Sequence, residues 1–193
     1  AVEGGFTVNL GYAGTAESTD YSGAVSSLIF SDSDLSKSFT ITCVAQTRVE
    51  GGETVIVSLA SVVPTTAPLG AFTLGGSATS TIIDNDTATL SIAPATKSED
   101  GGSIVFTVTA SAPIETSAGI GFSVGYTNGS ATAGVDFNAT ATTSGSMSGG
   151  ASTVNLSVPL INDSLVEGNE DFTVTLSNVL GPAAGQVTIA AAT

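Results

Sequence analysis

The sequence predicts an all-β protein made of two tandem, immunoglobulin-like antiparallel β-sandwiches, of which the first is N-terminally incomplete. Apolar and polar residues alternate in short segments such as TATLSIA (87–93), SIVFTVTA (103–110) and DFTVTLSNV (171–179). Clusters of Gly, Asn, Asp, Ser and Pro separate these segments and favour turns. Short alternating strands with turn signals at this spacing are typical of sandwiches and barrels.

An internal repeat defines the domain organisation. The segment GFTVNLGYAGTAESTDY (5–21) aligns without a gap with GFSVGYTNGSATAGVDF (121–137). Further on, VEGGETVIVSL (49–59) aligns with VEGNEDFTVTL (166–176). A repeated block of this kind indicates one supersecondary unit per copy. The aligned pairs include Gly5 with Gly121, Phe6 with Phe122, Val8 with Val124, and Asp20 with Asp136.

The two copies predict one domain over residues 1–87 and a second over residues 88–193, joined by a short linker. Repeat 1 has no counterpart of residues 87–111, so we expect it to lack its first two strands. Repeat 1 also carries about eleven extra residues within 61–78. Repeat 2 ends in VTIAAAT (187–193), where repeat 1 has TIIDNDT.

Composition excludes several classes of function. The net charge is −14, with 3 basic and 17 acidic residues, which argues against nucleic acid and against an anionic membrane surface. The chain has no histidine and one cysteine, so a Cys/His zinc site and Ser-His-Asp or Cys-His catalysis are excluded. We therefore predict that the protein is not an enzyme.

Other features of the sequence bear on location and on single residues. No apolar run is long enough to span a membrane, so no direct membrane insertion is expected. Strands rich in Ser and Thr with almost no Lys favour an exported bacterial protein, located extracellularly or at the cell surface. Cys43, which alternates with Phe39 and Ile41, is expected to be a small buried hydrophobe. Glu115 is expected to be a solvated loop charge.

Three motifs resemble the Calx-β family of calcium-binding β-sandwich modules, found in sodium–calcium exchangers and in large microbial surface proteins. They are GSATAGVDF (129–137), INDSLVEGNEDFTVTL (161–176) and TIIDND (81–86). The resemblance implies that Ca²⁺ is bound by loops at one end of each sandwich. The ligands that it implies are Glu99, Asp136, Asp163, Glu167 and Glu170 in repeat 2, and Asp20, Glu50, Glu53, Asp84 and Asp86 in repeat 1.

The chain departs from the family pattern at two places. Gln46 stands in repeat 1 where repeat 2 has Asp163. The closing acidic cluster of the family falls on alanines in repeat 2, at Ala190, Ala191 and Ala192.

Calcium binding would explain why a chain with few charged residues concentrates several of them in one turn. Ca²⁺ takes six to eight oxygen ligands at about 2.3–2.6 Å, and carboxylates supply them well. Without a cation, neighbouring carboxylates repel one another and their protonated forms are favoured. The acidic turn of 161–171 is therefore predicted to bind Ca²⁺ together with the distant Asp136.

The predicted function is that of a calcium-binding structural repeat, in which calcium rigidifies the junction between repeats. The predicted partners are calcium and neighbouring repeats of the same chain or other subunits. Two alternatives remain open. The first is an adhesive module that binds a glycan or a protein through the 61–78 insertion. The second is a filament subunit that assembles by strand addition to the open first repeat.

Overall fold

The computed structural model describes residues 4–64, 72–115 and 119–191. Strands dominate this part of the chain, and the predicted all-β fold is confirmed. The chain divides into two compact units. Unit 1 comprises Ala1–Gln46 and Gly52–Ile83, and unit 2 comprises Thr47–Gly51 and Asp84–Thr193.

Unit 1 is built on one antiparallel sheet. Four strands lie in the order β3-β1-β5-β6, and a separate pair, β2 and β4, lies outside that sheet. The described strands are β1 (Phe6–Gly14), β2 (Tyr21–Ser22), β3 (Ser27–Phe30), β4 (Thr42–Cys43), β5 (Glu53–Pro64) and β6 (Ser77–Ile82).

Unit 2 is a two-sheet sandwich. One sheet has the order β10-β9-β12 and the other has the order β11-β8-β7-β13. The strands are β7 (Ala88–Ile92), β8 (Ser103–Ile114), β9 (Ile120–Asn128), β10 (Ser144–Met147), β11 (Ala151–Pro159), β12 (Phe172–Leu180) and β13 (Val187–Ile189). Two short 3₁₀ helices, Glu99–Gly101 and Ala184–Gln186, complete the unit. β13 pairs with β7 in parallel, whereas the other pairings are antiparallel.

The core of unit 2 lies between its two sheets. Inward-facing residues of β8, β9 and β11 alternate with exposed ones, as burial of one face of each strand requires. Phe137 lies in the loop between β9 and β10, is fully buried, and stacks on Phe172 with ring centroids 4.0 Å apart. This buried ring fixes the part of the loop that contains Asp136.

The segment Thr47–Gly51 belongs to unit 2 although it precedes β5 in the chain. Val49 is fully buried, its N–H donates to the Pro113 carbonyl at 3.0 Å, and its carbonyl accepts from Glu115 N–H at 3.0 Å. Arg48 donates from Nη1 to Glu115 Oε2. The prediction of a solvated Glu115 is therefore wrong, because a guanidinium pairs with this buried carboxylate.

Hydrogen-bond register corrects the gap-free alignment of the first block. Tyr12 lies opposite Val57 and Tyr126 lies opposite Val174, so Tyr12 is the counterpart of Tyr126. Both tyrosine hydroxyls donate to a backbone carbonyl, that of Val25 at 2.9 Å and that of Thr142 at 2.6 Å. Within the strand, the true match is shifted by two residues, so pairings such as Phe6 with Phe122 are wrong, whereas Asp20 still corresponds to Asp136, since each carbonyl accepts the equivalent N–H, from Val44 and from Ile161. An even shift keeps every side chain on the same face, so alternation alone could not reveal it.

Cys43 is exposed, which contradicts the prediction that it is buried. It lies in the two-residue strand β4, directly after a stretch, 35–41, that is outside every strand the structure describes. The alternation of Phe39, Ile41 and Cys43 predicts a buried strand face, but among the described residues of unit 1 only Thr42 and Cys43 of this segment form a strand, the short β4.

Two further results concern the limits of the fold. None of the helices in the described ranges is long and apolar enough to cross a membrane. The central part of the predicted recognition insertion, residues 65–71, lies outside the described residues.

Candidate metal centre

Three carboxylates of repeat 2 lie together in unit 2. Single oxygens of Asp136, Glu167 and Glu170 lie within 4.8 Å of one another, and these residues form the second acidic cluster. Asp136 is half-buried, whereas Glu167 and Glu170 are exposed. Two oxygens that bind one Ca²⁺ at about 2.3–2.6 Å are separated by at most about 5 Å, so the spacing fits a shared calcium ion.

Backbone contacts hold Asp136 in place. Thr132 N–H donates to Asp136 Oδ2 at 2.7 Å, and Asp136 N–H donates to the Thr132 carbonyl at 2.9 Å. The Asp136 carbonyl accepts from Ile161 N–H at 2.8 Å, which joins this loop to the start of the acidic turn. The next residue, Phe137, is anchored in the core, so the carboxylate stands on a rigid base.

Asp171 and Ser130 attach the other end of the acidic turn, and neither residue was predicted to have a role in the site. Ser130 Oγ donates to Asp171 Oδ1 at 2.8 Å, and Asp171 N–H donates to Ser130 Oγ at 2.9 Å. A Cβ at Gly129 would lie 2.3 Å from Asp171 Oδ2, so only glycine allows this approach. The signal available in the sequence was the pairing of a glycine-serine turn with an aspartate at the start of a strand.

The acidic turn concentrates negative charge. Reduced hydration raises the pKa of Glu167, and repulsion from Glu170, Asp163, Asp136 and Glu99 raises it further. Reduced hydration also raises the pKa of Glu170, with repulsion from Asp136 and Glu99 adding to it. A bound cation reverses this repulsion, because it replaces like-charge contacts with attraction to every carboxylate.

Asp163 and Glu99 lie around the second acidic cluster and not within it. Both repel Glu167 and Glu170, which places all five predicted ligands of repeat 2 in one electrostatic neighbourhood. Asp163 Oδ1 accepts from Leu165 N–H at 2.7 Å, as aspartate does in a turn. Glu99 begins the 3₁₀ helix Glu99–Gly101, which follows β7.

A matching group occurs at the predicted positions of repeat 1. The corresponding carboxylates of repeat 1 are Asp20, Glu50 and Glu53, and these residues are called the first acidic cluster. Asp20 and Glu53 are buried, at 4% and 5% exposure. Asp20 accepts from Gln46 Nε2, so the glutamine that replaces Asp163 contributes a donor and not an anion.

Asp84 and Asp86 are arranged differently from the two clusters. Asp84 Oδ2 accepts from the N–H groups of Glu50 at 2.6 Å and Gly51 at 3.2 Å, and its Oδ1 accepts from Asp86 N–H at 2.9 Å. Burial opposes the ionisation of Asp84, but these N–H donors outweigh it and lower its pKa. Gln186 Nε2 donates to the carbonyls of Asp84 at 3.0 Å and Asp86 at 3.1 Å. Asp84 therefore organises the backbone on which Glu50 stands.

The donor set suits a hard cation. Both acidic clusters offer carboxylate oxygens alone, and Ca²⁺ prefers oxygen over nitrogen or sulfur. In the described part of the chain, these two clusters are the groups of three that could hold a metal. The carboxylates of Glu99, Asp163, Asp84 and Asp86 stay predicted ligands.

The comparisons with known proteins agree with the repeat. The model of the Calx-beta domain family matches residues 6–86 and again residues 84–193, which together span nearly the whole chain. The chain belongs to the Calx-beta domain family and contains two tandem copies of the domain. Calx-beta domains include calcium-binding regulatory modules of exchangers.

One solved structure similar to this chain is the crystal structure of CBD12 from CALX1.2. It shares 16% sequence identity at a TM-score of 0.40, over 91% of this chain and 69% of that chain. No curated protein sequence matches the chain.

Proposed function

We propose that this chain is a calcium-binding structural module of an extracellular or cell-surface protein. The observation that carries the proposal is the duplication of the acidic cluster. Asp20, Glu50 and Glu53 in repeat 1 correspond to Asp136, Glu167 and Glu170 in repeat 2, where single oxygens of the three carboxylates lie within 4.8 Å of one another. A duplicated group of three carboxylates that includes one distant aspartate is more specific evidence for a metal site than an acidic turn alone.

Calcium links the loops of each cluster. In repeat 2, it would bind a carboxylate of the β9–β10 loop and two carboxylates of the turn that precedes β12. Since the unfolded chain has no preformed site, the binding free energy is available to stabilise the folded loops. A ligand that binds the native state alone contributes about 2.7 kcal/mol at a hundredfold excess over its Kd.

We assign binding and not catalysis to the clusters. The chain has no histidine that could serve as a general base. Asp171 and Ser130 fix the turn by contacts to each other, and Asp84 fixes Glu50 through the backbone. This arrangement supports a site that holds an ion in a fixed geometry.

The direct test is thermal unfolding with and without calcium. We expect a higher melting temperature in millimolar CaCl₂ than in EDTA, with a much smaller effect of MgCl₂ because Mg²⁺ needs near-ideal octahedral geometry. Identical melting curves in EDTA and CaCl₂ would remove the basis of the proposal.

The finer part of the proposal is that calcium rigidifies the junction between the two repeats. Small-angle X-ray scattering of the full chain tests it. Rigidification should narrow the distribution of interatomic distances in CaCl₂ relative to EDTA. A distribution that is unchanged while the melting temperature rises would limit calcium to stabilising each unit by itself.

A further inference from the structure

A group of hydrogen bonds holds the end of the acidic turn in repeat 2. Ser130 Oγ donates to Asp171 Oδ1 at 2.8 Å, and Asp171 N–H donates to Ser130 Oγ at 2.9 Å. Ala131, which is buried in the core of unit 2, donates its N–H to the Asp171 carbonyl at 2.9 Å. A Cβ at Gly129 would lie 2.5 Å from that carbonyl oxygen, so glycine is required there. These four residues form the repeat 2 interlock.

Repeat 1 has the same arrangement with different side chains. Thr54 N–H donates to Thr15 Oγ1 at 2.9 Å, and Ala16 N–H donates to the Thr54 carbonyl at 3.1 Å. The hydroxyl oxygens of Thr15 and Thr54 lie 3.3 Å apart and share a hydrogen bond. A Cβ at Gly14 would lie 2.1 Å from the Thr54 carbonyl oxygen. These four residues form the repeat 1 interlock, in which a neutral threonine takes the place of Asp171.

The two interlocks share a position and not a charge. Thr54 directly follows Glu53, and Asp171 directly follows Glu170, so each interlock lies one residue from a glutamate of an acidic cluster. A threonine makes the same backbone contacts as the aspartate without contributing a negative charge. Asp171 is therefore assigned as a positioning residue and not as a further calcium ligand.

The other end of the acidic turn is tied to the β9–β10 loop as well. Ile161 N–H donates to the Asp136 carbonyl at 2.8 Å. Every residue from 161 to 171 is exposed, so no buried side chain anchors the turn between its two ends. The interlock and the Ile161 contact therefore set the distance between the carboxylates of Asp136 and Glu170.

We propose that the repeat 2 interlock makes the second acidic cluster selective for Ca²⁺ over Mg²⁺, an inference that rests on the proposed calcium site. Selectivity between these ions depends on cavity size and on the flexibility of the ligands. Ca²⁺ takes oxygens at about 2.3–2.6 Å, whereas Mg²⁺ demands about 2.0–2.1 Å. A turn that is tied at both ends resists contraction around the smaller ion, so its carboxylates keep a spacing that suits calcium.

Ser130→Ala removes the hydroxyl on which the interlock depends and leaves the net charge unchanged. We expect about a tenfold loss of Ca²⁺ affinity, as is usual when a group that orients a metal ligand is removed. Mg²⁺ affinity should change less than about twofold, since Mg²⁺ keeps several waters and binds through one or two carboxylates. The ratio of the two affinities should therefore fall at least about fivefold.

Amide NMR titrations of the full chain with CaCl₂ and with MgCl₂ measure both affinities. The amide signals of Gly168 and Glu170 lie in the acidic turn of repeat 2, so they report this site separately from that of repeat 1. Order parameters measured in EDTA give a readout that does not depend on a bound ion. In Ser130→Ala, the order parameters of residues 165–170 should fall, while those of β8 and β9 stay unchanged and show that the variant is folded.

Matched variants separate position from charge. Asp171→Thr copies the repeat 1 interlock and should keep the Ca²⁺ affinity within about twofold of wild type, although it removes a negative charge. Asp171→Ala removes the same charge together with the side-chain contact and should behave like Ser130→Ala. Thr107→Ala removes a hydroxyl that donates to Asn155 Oδ1 at 3.0 Å on the other sheet of unit 2, and it should leave both affinities unchanged.

Each failure has its own signature. If the wild type does not respond to calcium, the proposed function is wrong and the inference falls with it. If the wild type binds calcium and Ser130→Ala keeps the wild-type ratio of affinities, the proposed function stands and the role of the interlock in selectivity is wrong. If Asp171→Thr loses as much Ca²⁺ affinity as Asp171→Ala, Asp171 acts through its charge and is not a positioning residue.

Discussion

The carboxylate of Asp84 accepts a hydrogen bond at 2.6 Å from the backbone N–H of Glu50, a member of the first acidic cluster. The same carboxylate also binds the N–H groups of Gly51 and Asp86. One aspartate thus sets the backbone geometry that presents another carboxylate.

Asp84→Ala should therefore lower the free energy of unfolding, on the order of 1–2 kcal/mol, because three N–H groups lose a charged acceptor at a partly exposed position. Since the folded-state pKa of Asp84 is lowered, its stabilisation is present above the unfolded pKa and is lost as the pH falls through the folded pKa. Urea unfolding of wild type and variant at neutral and acidic pH measures this. A difference between the two proteins that stays constant down to the lowest pH would contradict the assigned role.

Glu167→Gln and Asp136→Asn should each weaken calcium binding in repeat 2 by at least tenfold while leaving the fold intact. Each change removes one charge from the second acidic cluster with little change in shape. Asp32→Asn is the matched control, because it removes the same charge from an aspartate that accepts a hydrogen bond from Gly4 outside both clusters. Isothermal titration calorimetry reports affinity and stoichiometry. If all three variants bind like the wild type, the ligand assignment in repeat 2 is wrong.

Acidification should act in opposite directions with and without calcium. The raised pKa values of Glu167 and Glu170 mean that their ionised forms are disfavoured in the folded protein. In EDTA, the destabilisation is present at neutral pH and is relieved as the pH falls through these folded pKa values. In CaCl₂, protons compete with the cation, so calcium affinity falls over the same range.

Melting curves in both buffers between pH 4 and pH 8 test this prediction, because this range begins near the ordinary carboxyl pKa of about 4.3. The shift in melting temperature caused by calcium should shrink steadily toward acidic pH. A shift that is independent of pH would show that these two carboxylates do not bind the ion.

Truncation of equivalent aromatic residues should affect the two units unequally. Phe137 is fully buried and stacks on Phe172, so Phe137→Ala should cost about 3–5 kcal/mol. Tyr21 follows Asp20 in repeat 1 as Phe137 follows Asp136 in repeat 2, but Tyr21 is only partly buried. Tyr21→Ala should therefore lower the free energy of unfolding by about 1 kcal/mol. Differential scanning calorimetry of the full chain measures both. Equal costs would indicate that unit 1 has a core as complete as that of unit 2.

The sequence predicted the fold well because period-two alternation and the repeat are properties of the chain itself. Alternation located β8, β9 and β12, and the second block of the alignment agrees with the strand register at Leu59 and Leu176. The gap-free alignment of the first block failed at Tyr12 and Tyr126, because a shift of two residues keeps every inward-facing position inward-facing. Only the hydrogen-bond ladder distinguishes the two alignments.

The failures at Cys43 and Glu115 have a different cause. Burial of Cys43 would require a neighbouring strand, and alternation cannot show whether that neighbour is present. The partner of Glu115 is Arg48, which lies 67 residues away in sequence, and no local pattern links the two. Ser130 and Asp171 were missed for the same reason, since their contact joins residues 41 positions apart.

The parallel pairing of β13 with β7 has a mechanical consequence. The register joins Val187 to Ala88, Thr188 to Thr89, and Ile189 to Leu90. The longer segment of unit 2 runs from Asp84 through β7 to β13, so tension applied to the start of β7 and the end of β13 pulls these parallel strands in opposite directions along their axes. Their hydrogen bonds are then loaded in shear and must break together, whereas an antiparallel pair pulled from one end opens one bond at a time. Unit 2 is therefore expected to resist stretching between the start of β7 and the end of β13.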